Sequence, residues 1–247
     1  MMRFDIFVSK KLNISRNKAL ELIENEEVLL NNKLFKPSFD IDNLYDGLKD
    51  DILDNDFLKL DLLQDIYVSR AAFKLKNFLN DINLDIKNKI CLDIGSSSGG
   101  FVQILLEKGA LKVFAVDVGT NQLHQNLIND KRIILYEKTD IREFKYNDKF
   151  DLITCDVSFI SLKNIIFYID KFANKDIILL FKPQFEVGKN SKRDKRGVIK
   201  DQKDIKNARV EFEKECMKFG WILENTRESS LKGKQGNVEY FYLFSKR

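Results

Sequence analysis

From residue 69 to the C-terminus, short apolar runs alternate with helical patterns, and this alternation limits the possible fold more than any other feature. Runs such as "KICLDIG", "LKVFAVDVG", "FDLITCDVS" and "DIILLFKP" have the length and apolar character of buried strands. Stretches between them, such as "GGFVQILLEKGA", have helical spacing. This alternation predicts an α/β fold with a mostly parallel, doubly wound sheet. After a long predicted helix near residues 202–219, two further strand-like runs predict an antiparallel last strand.

The first sixty residues have a different pattern, which predicts a separate domain. "NISRNKALELIENEEV" predicts a helix with Ser15 as its N-cap. "EVLLNNKLFKPSFDI" predicts strand, turn and strand, because asparagines tolerate the positive φ angles of a tight turn. "FLKLDLL" near residue 60 predicts one more strand. We therefore expect a small α/β domain at 1–60, a linker at 61–68 and the large α/β domain at 69–247.

The charge is unevenly distributed along the chain. The whole chain carries +4, residues 1–18 carry +4 and residues 19–60 carry −7. Residues 187–206 contain eight basic and three acidic residues. Basic segments of this kind are typical of proteins with a polyanionic partner, although ordinary solvated charge produces similar counts. For residues 187–206 we favour a mobile loop that clamps RNA.

Cysteine, histidine and apolar content exclude several classes of protein. The three cysteines are far apart and cannot form a disulfide framework. A single histidine, His124, excludes a three-histidine zinc site, and we expect no metal. No apolar run approaches the roughly 18 residues of a membrane helix, and no secretion signal precedes the first domain. The sequence predicts a cytoplasmic protein without a membrane partner.

The stretch "CLDIGSSSGGF" predicts a ligand-binding loop between a buried strand and a helix. Gly95, Gly99 and Gly100 allow a ligand to approach the backbone closely. Ser97 stands where a dinucleotide-binding loop needs its second glycine, and no Gly-Lys pair of an ATP-binding loop follows. These departures disfavour NAD and ATP as ligands.

Acidic residues at successive strand ends indicate which ligand the loop holds. Asp93 suits a ligand with a positively charged amino-acid end. Asp117 ends the next strand, where a carboxylate accepts hydrogen bonds from ribose hydroxyls. Asp140 follows the third strand and suits an adenine amino group. Together they predict a pocket for S-adenosylmethionine (SAM).

The first domain resembles the S4 RNA-binding domain. The matching stretches are "RFD" at the start, "SR" at Ser15 and the hairpin segment "VLLNN" followed by "KPS". Glu26 and Asn32 replace two glycines of the family pattern. The resemblance implies phosphate contacts by five basic residues. They are Arg3, Lys10, Lys11, Arg16 and Lys18. A small module for protein contacts is the alternative.

The second domain resembles the FtsJ-type methyltransferases, and the two domains together resemble the TlyA family, also called the hemolysin A family. The matching stretches are "YVSRAAFKL", "DIGSSSGGF", "DVGTNQL", "DVSFISL", "LLFKPQFEVGK" and "GNVEYF". The resemblance implies SAM-dependent 2′-O-methylation of cytidine in ribosomal RNA. Because the chain starts and stops close to its motifs, we favour large-subunit RNA over small-subunit RNA. We expect a monomer.

The same resemblance implies a catalytic tetrad of Lys74, Asp156, Lys182 and Glu239. Asp156 and Lys182 each follow a buried strand, so both side chains reach the carboxyl edge of the sheet, where ligands bind in this architecture. Lys182 is the expected general base, because a ribose hydroxyl must lose a proton. A lysine that only forms a salt bridge at a strand end is the alternative reading of Lys182.

Two larger sets of residues complete the predicted site. The cofactor-binding set is Asp93, Gly95, Ser96, Ser97, Gly99, Gly100, Phe101, Asp117, Val118, Asp140 and Asp156. Beyond the five residues of the first domain, the RNA-binding set contains Arg70, Lys189, Lys192, Arg193 and Arg196. Two other functions stay open at this stage, a ribosome-binding protein without catalysis and a membrane-active hemolysin.

Overall fold

The computed structural model describes residues 2–44, 52–53, 57–63, 67–188 and 191–246. The chain divides into two compact units, residues 1–70 and residues 71–247. Within the described ranges no helix is both long and apolar enough to cross a membrane.

The first unit is a small α/β domain with its own apolar core. Ser15 caps the second helix, where its Oγ accepts a hydrogen bond from the amide of Lys18 at 3.2 Å, as the sequence predicts. Phe4, Phe7 and Ile23 are buried in the core of this unit. Its helices and strands are α1 (Phe4–Lys11), α2 (Arg16–Glu24), β1 (Val28–Leu30) and β2 (Leu60–Leu62).

The predicted hairpin of the first unit is only half correct. A tight turn forms at Asn31 and Asn32, which have φ angles of 51° and 60°. Only one antiparallel bridge, between Leu30 and Lys33, follows this turn, so the strand predicted directly after it is wrong. The strand that pairs with β1 is β2. Pro37 has no amide hydrogen for a strand ladder, and the rings of Phe35 and Phe39 lie 4.3 Å apart against the core. The chain therefore leaves the ladder after the turn.

The two positions where the S4 family has glycine keep a left-handed backbone in this chain. Glu26 and Asn32 both have a φ of 60°. Asparagine tolerates this conformation well, whereas a glutamate in it carries a cost of roughly 1 kcal/mol or more. The Glu26 carboxylate lies 3.3 Å from the guanidinium of Arg70, within the same unit. An extra negative charge at this position is thus paired with a cation.

The second unit contains a seven-stranded sheet in the order β5-β4-β3-β6-β7-β9-β8. Strands β3 to β7 pair in parallel, and β9 runs antiparallel between β7 and β8. This topology confirms the predicted α/β fold with its antiparallel last strand. The strands are β3 (Ile90–Ile94), β4 (Lys112–Val116), β5 (Ile133–Tyr136), β6 (Phe150–Cys155), β7 (Ala173–Phe181), β8 (Ile222–Glu228) and β9 (Tyr240–Ser245).

Helices alternate with most of these strands along the chain. The long predicted helix near residues 202–219 is present, and the short helix after β4 is capped by His124. The helices are α3 (Arg70–Asn80), α4 (Gly100–Glu107), α5 (Gln125–Ile128), α6 (Ile166–Phe172), α7 (Pro183–Glu186) and α8 (Gln202–Lys218).

Strand register determines which residues meet at the carboxyl edge of the sheet. Ile94 of β3 is level with Cys155 of β6, so Gly95 and Asp156 follow side by side. Phe181 of β7 is level with Tyr240 of the antiparallel strand β9. The residue after β7 and the residue before β9 are therefore also neighbours at this edge.

Candidate active site

The glycine loop takes a backbone form that larger residues would obstruct. Gly95 has a φ of 80°, and a Cβ there would lie 3.0 Å from the carbonyl oxygen of Asp156. Gly99 has a φ of 90°, and a Cβ there would lie within 2.6 Å of methyl groups of Leu123 and Leu127. The positive φ angles and these close contacts therefore require glycine at both positions.

Asp117 joins the glycine loop to the turn after β4. Its Oδ2 accepts a hydrogen bond from the amide of Ser97 at 2.8 Å, and its Oδ1 accepts one from the amide of Gly119 at 2.7 Å. A carboxylate has about four acceptor positions, so each oxygen can accept one more hydrogen bond. Two neighbouring hydroxyls of a ribose are suitable donors for the remaining positions.

Asp93 is a buried carboxyl group with one satisfied oxygen. Its Oδ1 accepts a hydrogen bond of 2.6 Å from the Thr154 hydroxyl, while Oδ2 has no partner among the described residues. Burial, together with the negative charges of Asp156 and Asp117, raises the pKa of Asp93 to about 7. An unpartnered buried carboxyl oxygen of this kind suits a cationic group of a ligand.

Asp140 lies at the same edge, but its carboxylate is already engaged. Arg142 donates to it through its backbone amide at 2.9 Å and through its guanidinium at 2.6 and 2.9 Å. These hydrogen bonds hold the pKa of Asp140 below its ordinary value. A ligand amino group would share this carboxylate with Arg142.

A cleft of about 390 Å³ opens beside these residues. Of the predicted cofactor-binding set, six residues line it, namely Gly95, Ser97, Asp117, Val118, Asp140 and Asp156. Ser96 is buried nearby with a hydroxyl that has no partner among the described residues. Gly100 begins helix α4, and Phe101 is buried in the core, where its ring lies 6.0 Å from that of Phe241. Phe101 thus contributes to packing behind the loop.

Lys182 lies at the rim of the cleft in an ion pair with Asp156. Its Nζ is 2.6 Å from the Asp156 carboxylate and donates a hydrogen bond of 2.9 Å to the Ser158 hydroxyl. The side chains of Lys182 and Asp156 are 11% and 15% exposed, so the pair is close to solvent yet mostly desolvated. Among the described residues, these two contacts leave one of the three donor directions of the Lys182 ammonium for a substrate.

Lys74 and Glu239 form a second ion pair, which is more deeply buried. The Lys74 Nζ donates to Glu239 Oε2 at 2.7 Å. Glu239 follows a turn in which a Cβ on Gly233 would lie 2.5 Å from Oε1, so this glycine makes room for the carboxylate. The four predicted tetrad residues therefore occur as two lysine-carboxylate pairs on elements that end at one edge of the sheet.

Sequence reasoning did not assign roles to Ser158 and Gly233. Ser158 belongs to the quoted motif "DVSFISL", and its position two residues after Asp156 was the available signal. Gly233 has no such signal, because its contact with Glu239 depends on how the turn between β8 and β9 folds. Phe159, beside Ser158, is 92% exposed and lines the cleft.

Four of the five predicted phosphate contacts in the first unit already have partners. Arg3 and Arg16 form ion pairs of 3.0 and 2.7 Å with the fully buried Asp5. Burial alone raises the pKa of Asp5, but the two arginines outweigh burial and hold the pKa below its ordinary value. Lys18 pairs with an exposed glutamate, and Lys11 donates to a backbone carbonyl. Lys10 is exposed.

Within the predicted basic loop, residues 191–200 form a hydrogen-bonded turn. The amide of Lys200 donates to the Lys192 carbonyl at 3.1 Å, and the amide of Asp194 donates to the Val198 carbonyl at 3.0 Å. Lys192, Arg193 and Arg196 are exposed in this turn. Lys189 lies outside the described residues. Arg70 pairs with a glutamate of the first unit.

The fold and the site define a class of protein, an α/β methyltransferase with a Rossmann-like sheet. A sequence model of the FtsJ-like methyltransferase family matches residues 67–246. The 23S rRNA (cytidine-2′-O)-methyltransferase TlyA of Campylobacter jejuni is 67% identical over 99% of this chain and 100% of that protein. The chain therefore belongs to the TlyA family of FtsJ-like methyltransferases.

Two further relatives show how widely this architecture is shared. The 16S/23S rRNA (cytidine-2′-O)-methyltransferase TlyA of Mycobacterium tuberculosis is 37% identical over 71% of this chain and 67% of that protein. A solved structure from Streptococcus thermophilus, described as a hemolysin, is 28% identical and covers 99% of this chain and 88% of its own, with a TM-score of 0.72.

Proposed function

We propose that the protein transfers a methyl group from SAM to the 2′-hydroxyl of a cytidine in ribosomal RNA, with large-subunit RNA as the favoured substrate. The observation that carries the proposal is the lysine-carboxylate arrangement beside the cleft, with Lys182 held by Asp156 and Ser158. The names of the Campylobacter and Mycobacterium relatives support the choice of substrate. The higher identity to the 23S enzyme favours the large subunit.

The residues around the cleft fit SAM. Asp117 accepts the ribose hydroxyls, and the unpartnered oxygen of Asp93 accepts the ammonium of the methionine end. The glycine loop contacts the ligand through Gly95 and Ser97, which line the cleft. When bound, SAM supplies a methyl group on a sulfonium, which is already activated for transfer. The protein must align the acceptor oxygen and remove one proton.

Lys182 is the proposed base for that proton and takes it as the neutral amine, because an ammonium has no lone pair to accept a proton. A general base must lie within hydrogen-bond reach of the group that it deprotonates, about 2.6–3.2 Å. The contacts of Lys182 with Asp156 and Ser158 fix the position of its amine at the cleft rim. Lys74 and Glu239 complete the proposed tetrad and orient the acceptor ribose from the β9 side.

Ribose is a better acceptor for this site than a base. Cys155, the nearest thiol to the tetrad, is fully buried, and burial raises the pKa of its thiol well above the usual range. It is therefore a poor nucleophile for chemistry on a pyrimidine ring. Asp156 is followed by Val157 and Ser158, with no proline pair to build a base-activating loop.

A pair of RNA substrates tests the proposal. Ribosomal RNA with a 2′-deoxy sugar at the target cytidine should bind but accept no methyl group. The product of normal RNA should resist alkaline cleavage at that one linkage, because cleavage needs a free 2′-hydroxyl. Methylation of the deoxy substrate would overturn the ribose assignment. No transfer to either ribosomal subunit RNA would favour the alternative of a binding protein without catalysis.

Basic residues of both units contact RNA phosphates, and the protein acts as a monomer in the cytoplasm, where ribosomal subunits are assembled.

A membrane-active role has one supporting observation, the description of the Streptococcus thermophilus relative as a hemolysin. Release of dye from liposomes by the purified protein would be the direct sign of that role, and we expect none.

A further inference from the structure

Asn237, in the motif "GNVEYF", connects two turns that are distant in sequence. It is 3% exposed and lies two residues before Glu239. Its Oδ1 accepts a hydrogen bond of 3.0 Å from the amide of Ile199, and its Nδ2 donates one of 3.4 Å to the carbonyl of Gly197. Its own carbonyl accepts one of 2.8 Å from the amide of Gly233. We call residues 191–200 the basic turn and residues 231–238 the glycine turn.

Both turns are cationic. The basic turn has a net charge of +4, and the glycine turn has a net charge of +2 from Lys232 and Lys234. Both lysines of the glycine turn are exposed. The two turns are in direct contact through the hydrogen bonds of Asn237 with Ile199 and Gly197. Asn237 thus joins them into one continuous cationic rim.

Each turn is also anchored next to the tetrad. Arg193 of the basic turn donates a hydrogen bond of 3.0 Å to the carbonyl of Gln184, two residues after Lys182. Gly233 of the glycine turn lies against the carboxylate of Glu239. The rim therefore lies beside the two ion pairs.

We propose that the glycine turn is a phosphate-binding element for the RNA substrate, with Lys232 and Lys234 as its contacts and Asn237 as the residue that positions it against the basic turn. This inference rests on the proposed function and identifies how the substrate backbone is held. Long lysine side chains bind phosphate best when their backbone is held in place, because less conformational freedom is then lost on binding. The buried hydrogen bonds of Asn237 provide that constraint.

A charge-neutralising variant with a matched control tests the lysines. In Lys232→Gln/Lys234→Gln, the affinity for ribosomal RNA transcribed in vitro should fall several-fold at moderate salt. The slope of log K against log salt should shrink by about 1 to 2, since each phosphate contact contributes roughly 0.7–0.9. The control, Lys112→Gln/Lys131→Gln, removes two exposed charges from the opposite edge of the sheet. Equal affinities and slopes for the two double variants would overturn the inference.

Variants of Asn237 test the positioning role. Asn237→Ala should raise the KM for RNA, and the lysine substitutions should have a smaller effect in this background than in the wild type. Asn237→Asp keeps the acceptor for Ile199 but loses the donor to Gly197, and it tests the same role if the alanine variant does not fold. Additive effects of the position-237 and lysine substitutions would overturn the role of Asn237.

Methylation of ribosomal RNA by the wild-type protein distinguishes a failure of this inference from a failure of the proposed function. If the wild type methylates ribosomal RNA and the lysine variant behaves like its control, only the glycine turn is wrongly assigned. If the wild type modifies no ribosomal RNA, the proposed function and this inference both fail. SAM affinity should be the same in all these variants, and a change there would assign the turns to the cofactor site instead.

Discussion

Lys74 and Glu239 are 165 positions apart in the chain, and their side chains meet at 2.7 Å in a buried ion pair. Lys74 belongs to the helix before the first strand of the large sheet, and Glu239 precedes the last strand. The pair therefore joins the two ends of the second unit beside the candidate site.

Lys74→Met should strongly destabilise the second unit. The substitution leaves Glu239, whose side chain is 3% exposed, as an unpaired buried charge. Removal of one partner of a buried pair costs about 3–5 kcal/mol. The double variant Lys74→Met/Glu239→Gln should lose much less, because no charge is left behind. Urea unfolding measures the free energy of unfolding of the single and the double variant. The control is Lys163→Met, which breaks the exposed ion pair with Glu211. A larger loss of stability in the double variant than in Lys74→Met would contradict this expectation.

Lys182→Met should abolish methyl transfer and leave SAM affinity within about twofold of the wild type. Methionine has a similar volume, so the cleft keeps its shape while the amine that contacts Asp156 and Ser158 is lost. Single-turnover transfer and calorimetric binding of SAM separate the two effects. A parallel loss of SAM binding would make Lys182 a cofactor or structural residue.

Asp117→Asn should weaken SAM binding by about 1.5–3 kcal/mol, the value of a hydrogen bond to a charged group. One amide oxygen cannot replace the two carboxylate oxygens that also hold Ser97 and Gly119. Calorimetry measures the change, and Asp130→Asn, which alters an exposed pair with Arg132, is the control. Unchanged affinity in Asp117→Asn would remove this residue from the pocket.

Asp93 should make both stability and SAM affinity depend on pH. Because burial raises the pKa of Asp93 from 3.8 to about 7, the folded chain holds a proton that the unfolded chain has lost between these values. The contribution of this group to the free energy of unfolding should therefore fall as pH rises through this window, by up to about 1.4 kcal/mol per pH unit. Asp93→Asn should remove this dependence.

SAM affinity should change in the opposite direction, because the ligand ammonium prefers the ionised carboxylate. Affinity should rise between pH 5.5 and 7, by up to about tenfold per unit well below the pKa. In Asp93→Asn binding should be weak and nearly independent of pH. Calorimetric titration with SAM over this pH range measures the affinity of both proteins. A wild-type affinity that does not change with pH would exclude a pairing between Asp93 and the ligand.

In the first unit, Lys10→Gln/Lys18→Gln should weaken RNA binding and reduce its salt dependence without a loss of stability. Arg16→Gln should weaken RNA binding as well, but mainly by destabilisation, because it leaves the buried Asp5 with one partner fewer. Thermal unfolding and binding at two salt concentrations distinguish these effects. If the lysine variant binds RNA like the wild type, the first unit has another role.

The local sequence was sufficient to predict the elements and the residues at their ends. Apolar runs identify β3, β6 and β7, and the residue after each run is read directly from the chain, which is why Asp156 and Lys182 could be selected. The glycine loop and Asp117 could be selected from the sequence in the same way. The hairpin prediction was half correct, because the turn depends on Asn31 and Asn32 themselves. The strand that pairs with Val28–Leu30 lies some thirty residues away, and the local pattern contains no information about it.

Tertiary structure alone decided which side chains are partners. Strand order and register bring Lys182 to Asp156 and Glu239 to Lys74, and they leave one oxygen of Asp93 without a partner among the described residues. The contacts of Asn237 with the basic turn also depend on this assembly. Apolar spacing is a property of neighbours in the chain, so it is visible in the sequence. An ion pair or a buried hydrogen bond depends on distances of a few ångströms between remote segments, and only the packed sheet sets those distances.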